Sequence, residues 1–338
     1  MATLITVGGS ASTGTGTTFG DLIEKVYRRV MGGVRERTVS LTTAIGTSET
    51  TIPLTGQQAG SIAPGVILSI DLELMYVTGW TPTGTNAGQA VVIRGYYGSV
   101  PNPHIVNSVV YLNPRYSRYD IGVAINDDLR SLSSPENGLF RVGVATLTYN
   151  PVFAGYDLGD LPDNFIDILE VRYRIAPPYR TFPPIRKWKV IRWDKNHTDP
   201  VFPSGKGLVI YESGWPGLPI YVTYSAPFIR FVDTADNVME TPATNDEAPP
   251  LNGYDSSTVT NLSSTMIDLP PLGAEIDLTI PREISRSLME SQPDPRKAQE
   301  VPPGAIAGSV NALMVRRNQR ISEEADRLIR QYTRVMAW

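Results

Sequence analysis

The sequence predicts an α+β protein: a helical body of about four helices, interrupted by two antiparallel β insertions (small barrel or sandwich-like), and followed by an extended C-terminal segment that ends in a helix. Three observations predict this class. Stretches at 21–31, 119–133 and 281–292 carry apolar residues at helical spacing. The chain between them reads as short strands. Glycine and proline, 29 and 28 of 338 residues, favour turns over long helices.

The order of these patterns divides the chain into seven parts. They are an N-terminal segment with the first helix (1–37), a first β insertion (38–117), the central helix of the body (118–134), a second β domain (135–232), an acidic loop (233–280), a body helix (281–292) and a C-terminal extension with an amphipathic helix (293–338).

The helices are predicted from their buried faces and their ends. In the first helix, Leu22 and Val26 lie four residues apart, and Gly32 and Gly33 follow it as stop signals. The central helix repeats apolar residues at steps of four, four and three. Its predicted partner begins at Pro281, because proline fits the first turn of a helix. The apolar face of the central helix is Ile121, Ile125, Leu129 and Leu132.

The two β insertions are predicted from short apolar runs bounded by turn residues. Six such runs between residues 38 and 112 fit a small barrel or sandwich. In the second insertion, 166–175 and 185–193 alternate apolar and polar residues. The pattern places Ile185, Lys187, Lys189 and Ile191 on one face. The runs 206–212 and 218–228 predict a hairpin, with 213–217 as its turn.

Charge is distributed unevenly along the chain. The net charge of −4 gives no overall signature of a nucleic-acid-binding protein. Residues 231–281 contain nine acidic residues and no Lys or Arg, whereas 309–338 contain six Arg and three acidic residues. The final helix, predicted over 310–336, has an apolar stripe of Ile321, Ala325, Leu328, Ile329, Tyr332, Val335 and Met336.

This helix follows a proline-rich connector and is suited to docking, either on its own body or on a neighbouring subunit or partner. Both alternatives stay open. The residues expected to form the interface are Arg316, Arg317, Arg320, Arg327, Arg330, Tyr332, Arg334 and Trp338.

Catalytic motifs are sparse. The chain has no Cys, and its two histidines, His104 and His197, form no H-E-x-x-H motif. No G-x-S-x-G elbow occurs, although residue counts leave a Ser-His-Asp triad open. Sequence alone does not pair the carboxylates at 157–167, or Asp71 and Glu73, across a cleft. Trp188, Trp193 and Trp215 fit core or interface positions, or stacking on a ligand. We expect no catalytic residue, no metal and no cofactor.

One run, VVIRGYYGSVPNPHIVNSVVYL at 91–112, is the most specific stretch of the chain. It resembles a pattern in virion proteins of tailed bacteriophages: an R-G-x-x-G-[ST] turn, a His, and a closing strand. Asn107 replaces the usual Gly before that strand. Upstream, APGVILSIDLELMYVTG resembles the same module, with its E-x-x-x-V strand. The residues that carry the match are Arg94, Gly95, Gly98, Ser99 and His104.

The second half resembles head–tail connector (adaptor) proteins of these phages. LPDNFIDILEVRYR is similar to their strand entering the β domain, and GLVIYESGWPGLPIYVTYSAPF to their returning hairpin. The resemblance implies a non-enzymatic virion protein of the neck, made in the host cytoplasm. It implies a ring, typically of twelve copies, that docks under the portal and lets DNA pass non-specifically through its lumen.

The implied partners are the portal ring, identical neighbouring subunits, and a head-closure or tail protein below; no membrane is involved. We expect the C-terminal arginines to contact portal or neighbour carboxylates, and the acidic 231–281 segment to rim the channel. The alternatives are another neck or tail protein (head-closure, tail terminator or baseplate) or a carbohydrate-binding module.

Overall fold

The structure is a computed structural model. It describes residues 19–153, 155–162, 164–173, 183–193, 201–212, 216–228, 262, 265–290 and 305–332, with the backbone alone for 281–290 and 305–307. The described residues form an α+β protein, as the sequence predicts. They contain four helices, a closed six-stranded antiparallel barrel and two three-stranded antiparallel sheets.

The four helices share one apolar core. They are α1 (Phe19–Met31), α2 (Arg118–Leu132), α3 (Leu269–Glu290) and α4 (Ala305–Gln331). Each contributes buried side chains to this helical core, including Ile23, Ile125, Leu269 and Ile321. No helix in the described ranges is both long and apolar enough to cross a membrane.

The ends of the first two helices follow local rules. Gly32 and Gly33 have positive φ angles of 55° and 85° directly after α1, so the predicted stop signals are confirmed. The hydroxyl of Ser117 accepts a hydrogen bond from the backbone N–H of Asp120 and caps α2. The apolar face predicted for α2 is buried, and the polar residue Asn126 is buried as well.

The first β insertion closes into a barrel with the strand order β1-β2-β5-β4-β3-β6. Alternate residues fill its interior, so that Ile52, Leu68, Met75 and Val110 have no exposed surface. The β4–β5 hairpin turns at residues 85–86. The strands are β1 (Arg37–Leu41), β2 (Thr51–Thr55), β3 (Ile67–Ile70), β4 (Glu73–Gly84), β5 (Ala87–Ile93) and β6 (Val109–Leu112).

Arg118 joins the barrel to the helical body. Its guanidinium lies 4.3 Å from the ring centroid of Tyr111 on β6 and 4.9 Å from that of Tyr27 on α1. Its Nε donates to Glu24 of α1 over 2.8 Å. This one cation therefore bridges a strand and two helices.

The second β insertion is two sheets around a common core rather than a single hairpin-based sheet. Their orders are β7-β12-β9 and β10-β11-β8. Side chains from both, such as Val222 and Leu208, pack together. The strands are β7 (Arg141–Thr148), β8 (Tyr156–Asp157), β9 (Asp167–Tyr173), β10 (Trp188–Arg192), β11 (Lys206–Ile210) and β12 (Pro219–Ala226).

Two predictions for this insertion are wrong. β11 and β12 do not form a hairpin: β11 pairs with β10 and β8, and β12 pairs with β7 and β9. Both strands bury apolar residues in one core, and sequence patterns do not distinguish strands that pair from strands that face each other. Ile185 also lies in the core, before β10 begins, and not on a common face with Lys187 and Lys189.

Helix α3 starts twelve residues before the predicted position, so the prediction of a loop up to residue 280 is wrong. Pro270 and Pro271 occupy its first turn, which tolerates proline because the N–H groups there have no helical partner. Pro281 lies inside the helix. Its early half, from Leu269 to Leu278, packs against the helical core. Ile284 and Leu288, expected to face the central helix, lie outside the residues whose side chains are described.

Candidate functional site

The residues that carry the phage resemblance meet at one end of the barrel, around the buried carboxylate of Glu73. Glu73 is the first residue of β4 and has no exposed surface. Arg94, directly after β5, binds both of its oxygens: Nε lies 2.5 Å from Oε1, and Nη2 lies 2.7 Å from Oε2. This two-point contact fixes the guanidinium in the plane of the carboxylate.

Every N–H donor of Arg94 has an acceptor. Besides Glu73, Nη2 donates to the carbonyl of Asn102 over 2.7 Å. Nη1 donates to the carbonyls of Gly46 and Glu49 over 2.9 and 3.0 Å. A guanidinium has five donors, and here five bonds use them. The Arg94 side chain therefore binds the loop after β1 and the loop after β5 to the barrel end.

His104 completes the cluster. Its Nε2 lies 2.9 Å from Oε2 of Glu73, and its Nδ1 lies 3.1 Å from Oδ2 of Asp71. Ionised carboxylates only accept hydrogen bonds, so both ring nitrogens can donate when the ring is protonated, and the two contacts favour the imidazolium form. Although burial disfavours its charge, the hydrogen bonds to Asp71 and Glu73 raise the pKa of His104 above its ordinary value.

Glu73 is held in its ionised form, although its side chain is buried. Burial raises its pKa, but hydrogen bonds from Arg94, His104 and the Asn102 N–H outweigh burial and lower the pKa of Glu73 below its ordinary value. Two positive and two negative side chains thus balance at the barrel end. We call Asp71, Glu73, Arg94 and His104 the barrel cluster.

The turn residues of the motif support this cluster. Gly95 has a φ of 64°, and an added Cβ would lie 2.9 Å from the carbonyl oxygen of Ser99. The Ser99 hydroxyl accepts a hydrogen bond from the Leu74 N–H over 2.9 Å. Asn107, which stands where the resembling proteins carry Gly, has a φ of 65°. Asn tolerates this left-handed conformation better than other side chains, so the departure keeps the turn.

The arrangement of the barrel cluster is that of a structural clamp. The side chains of Glu73, Arg94 and His104 are at most 6% exposed, and their hydrogen-bonding groups are used within the chain. His104 is therefore a satisfied buried histidine. His197 lies outside the described residues. Among the residues described, no three or more metal-ligating side chains are grouped to hold an ion.

The second candidate region is the surface of α4, where some of the predicted interface residues are exposed and others bind within the chain. Arg316 and Arg330 are exposed, and neither has a partner in the described part of the chain. Arg317, Arg320 and Arg327 bind acids of the same chain. Tyr332 packs partly buried against the helical core. The remaining two, Arg334 and Trp338, lie outside the described residues.

Arg317 reaches from α4 into the helical body. Its Nη2 lies 2.5 Å from Oδ1 of Asp128 on α2. An added Cβ on Gly273 of α3 would lie 1.8 Å from that same oxygen, so only glycine fits there. The pair is incompletely satisfied: Asp128 Oδ2 and Arg317 Nε are buried with no hydrogen-bond partner. We call Asp128, Gly273 and Arg317 the helix junction.

Asp128 is hard to ionise. Burial raises its pKa to about 7, although the nearby Arg317 guanidinium lowers it. Burial also raises the pKa of Asp277, on α3, above its ordinary value. The helix junction thus holds a weakly acidic carboxyl at the point where three helices meet.

Arg320 and Arg327 form ion pairs with acidic residues of α4 itself. Arg320 Nη1 lies 2.7 Å from Glu323, and its Nη2 donates to the carbonyl of Thr265 over 2.8 Å. Arg327 Nε lies 2.9 Å from Glu324 Oε2, and Glu324 is only 4% exposed. Arg320, which also lies 3.3 Å from Asp268, therefore links α4 to residues 265–268 of the helical body, whereas the pair of Arg327 with Glu324 lies within α4.

The buried side of α4 differs from the predicted stripe. Ile321 and Leu328 are buried as predicted, but Ile329 is 66% exposed. Glu324 and the partly buried Arg317 take up the inward side instead. The sequence pattern did not indicate that Asp128 and Glu324 bind the arginines of α4, because charged residues are expected on the solvent side of a helix. A helical wheel gives the missing signal, since 317, 321, 324 and 328 share one face.

Other residues weighed from the sequence serve the core of the second β insertion. Trp188 is buried, and the ring of Trp193 packs edge-on at 5.4 Å from Phe202. Asp157 accepts a hydrogen bond from the Ser204 hydroxyl over 2.6 Å. Trp215 lies outside the described residues.

The acidic segment is described only in part. Residues 229–261 lie outside the described ranges, so their predicted place at a channel stays a prediction. At its end, Asp268 lies 3.3 Å from Arg320 and Glu275 lies 3.4 Å from Arg29. These two acids bind within the helical body.

Comparison with models of known protein families finds no match, and comparison with curated proteins finds none either.

Proposed function

We propose that this chain is a subunit of the head-to-tail adaptor (connector) ring of a tailed bacteriophage, docking under the portal at the neck of the virion. DNA passes through the lumen of the ring, and a head-closure or tail protein binds below. The chain acts as a structural protein and not as an enzyme.

The observation that carries this proposal is the barrel cluster. Arg94 and His104 of the phage-like run both bind Glu73 of the upstream run, and Gly95 and Ser99 shape the turn between them, so these residues together close one end of the barrel. A pattern whose members cooperate in one structure is stronger support than the same letters in unrelated positions. The position of the barrel between α1 and α2 also fits the helical body with insertions that the resemblance implies.

The division of the α4 arginines sharpens the expected contact with the portal. Arg317, Arg320 and Arg327 are committed to acids of their own chain, so a partner that leaves the fold intact meets the opposite side of α4. On a helical wheel, Arg316, Arg330 and the exposed Val315 and Ile329 all fall within an arc of about 140°. This mixed basic and apolar face fits acidic portal side chains around an apolar centre.

The test mixes the purified full-length chain with assembled portal rings of the same phage and images the mixture by electron microscopy. We expect a second ring under the portal. The variant Arg316→Glu with Arg330→Glu should weaken portal binding at least tenfold, because like charges then face each other. Arg35→Glu with Arg37→Glu is the matched control, since it changes the charge equally at two exposed arginines outside α4.

Each outcome bears on a different part of the proposal. No ring on the portal, with the protein found elsewhere in virions, assigns it to the tail or head-closure class. Portal binding that both double variants weaken equally contradicts the α4 contact while retaining the adaptor function. A chain absent from virions that binds glycans would support the carbohydrate-binding alternative.

A further inference from the structure

A basic surface on the second β insertion stands out against the acidic chain. Between residues 185 and 206 there are six basic and two acidic residues, although the whole chain has a net charge of −4. Four of its six lysines lie in this interval. Such a local reversal of charge is not a consequence of overall composition.

The fold places the first three of these cations on one edge of a sheet. β10 is the outer strand of the sheet β10-β11-β8. Trp188 points into the core, so Lys187 and Lys189, on either side of it, face outward. They are about 7 Å apart, two residues along an extended chain. Arg186, just before the strand, is exposed as well.

Within the residues that the structure describes, these three side chains have no internal partner. In the described part of the chain none of them forms an ion pair or a side-chain hydrogen bond. The carboxylate of Glu212 accepts hydrogen bonds from the backbone N–H groups of Arg186 and Lys187 over 3.0 and 3.1 Å. These bonds fix the backbone and leave the charged ends of the two side chains exposed to solvent.

An aromatic side chain lies beside the cations. The N–H of Tyr211 donates to the carbonyl of Lys187 over 2.8 Å, so the two residues are opposite each other and share a face. Tyr211 is 63% exposed. By contrast, Arg192 at the far end of the strand donates to the carbonyl of Ile166 and stacks on Phe165, so it is committed to the fold.

We propose that Arg186, Lys187, Lys189 and Tyr211 form a surface that binds the phosphate backbone of DNA without sequence preference. Two lysines at strand spacing, an adjacent arginine and an exposed ring match what a phosphate backbone offers: repeated negative charge and sugar surface. No side chain is placed here to read base edges. This inference rests on these contacts alone and stands independently of the adaptor function.

Lysines on an edge strand also have a simpler role, because any charge there blocks strand pairing between copies. The sign of the charge separates the two roles. Lys187→Glu with Lys189→Glu keeps the edge charged and protected, but it repels phosphate. The variant should stay as soluble as the parent chain, with an unchanged elution volume, while its DNA binding falls.

The test measures binding of the full chain to a fluorescent 30-base-pair duplex of random sequence over a range of salt concentrations. Three neutralised phosphates give a slope of log affinity against log salt of about −2.7. Lys187→Glu with Lys189→Glu should lower affinity roughly tenfold or more at low salt and flatten the slope by about two units. The control, Arg35→Glu with Arg37→Glu, has the same charge change and the same two-residue spacing and should bind as the parent does.

Three results would overturn the inference. They are no measurable binding to the duplex, an equal loss in the control variant, and binding to vesicles of anionic phospholipid without binding to DNA. The portal assay does not involve β10, so a failure of this inference and a failure of the adaptor proposal are read from separate experiments.

Discussion

The barrel cluster and the helix junction both bury charge, and they differ in how completely it is satisfied. In the barrel cluster, Arg94 uses all of its donors and Glu73 accepts from three partners. In the helix junction, Asp128 and Arg317 share one short contact, while a second atom of each is buried without a partner. The buried ion pair of the barrel cluster is therefore fully hydrogen-bonded and resists disruption, and we call it the clamp. The buried ion pair of the helix junction is only partly hydrogen-bonded and is easier to break, and we call it the latch.

This difference matches what the two regions connect. The barrel cluster closes a single β unit and binds the loops at one of its ends. The helix junction attaches α4, an element near the end of the chain that the proposed function engages with a partner. A buried pair whose desolvation is poorly compensated contributes little net stability, and it lets a helix be displaced at moderate cost.

The largest expected effect tests the clamp. Replacing Glu73 with Gln removes the buried negative charge, which leaves Arg94 without its carboxylate partner and His104 with Asp71 as its remaining carboxylate in the barrel cluster. Breaking a buried pair in this way costs about 3–5 kcal/mol in the free energy of unfolding. Chemical denaturation of the full chain, followed by the fluorescence of its five tryptophans, of which Trp80 lies on β4 of the barrel, measures it.

The control for this variant is Glu49→Gln. Glu49 is exposed at the same barrel end, and it is the backbone carbonyl of Glu49 that Arg94 uses. Its loss should stay within about 0.5 kcal/mol. A Glu73→Gln cost as small as that of the control would show that the barrel cluster is not a clamp.

The next effect concerns pH and tests the latch. Asp128 has a folded pKa of about 7, above the value of an unfolded Asp. The folded state therefore binds a proton that the unfolded state releases, and the contribution of Asp128 to stability falls as pH rises from about 4 to about 7. At 1.36 kcal/mol per pKa unit, this dependence is on the order of 4 kcal/mol at most.

Asp128→Asn removes the titration, so the variant should gain stability relative to the parent chain as pH rises through this range. Denaturation curves at several pH values measure the difference. His104 also loses its stabilising charge as pH rises through its raised pKa, but it is present in both proteins and cancels. Parallel curves for the two proteins would contradict a raised pKa at Asp128.

Sequence patterns predicted the architecture well where the period of apolar residues decides the element. Leu22 and Val26 defined α1, and the six strand-like runs became the barrel. Patterns failed where tertiary pairing decides. β11 and β12 look like consecutive strands of a hairpin, yet they belong to opposing sheets, because both present the same alternation to the core. Pro281 looks like a helix start, yet Pro270 and Pro271 take that position.

The candidate sites show the same limit. Arg94 and His104 were recognisable from the phage-like run, and their common partner Glu73 begins the E-x-x-x-V strand upstream, but it lies 21 and 31 positions away and the sequence did not show that the three residues meet. For α4, the sequence pattern predicted all the arginines as interface residues and did not distinguish one from another. Which of them bind their own chain depends on Asp128, Glu323 and Glu324, and on the glycine that lets α3 approach Asp128 closely.

The smallest expected effect concerns that glycine. In Gly273→Ala, the new Cβ would lie 1.8 Å from Oδ1 of Asp128, so α3 must move away from α2 or Asp128 must leave Arg317. Overpacking of this kind costs about 1–3 kcal/mol. The control Gly308→Ala places a methyl group in α4 with no atom within 4 Å, and it should be neutral or stabilising by up to about 1 kcal/mol. Since a displaced Asp128 also releases Arg317, Gly273→Ala should speed hydrogen exchange in α4 more than in the barrel. Equal exchange in both regions would mean that the helix junction does not hold α4.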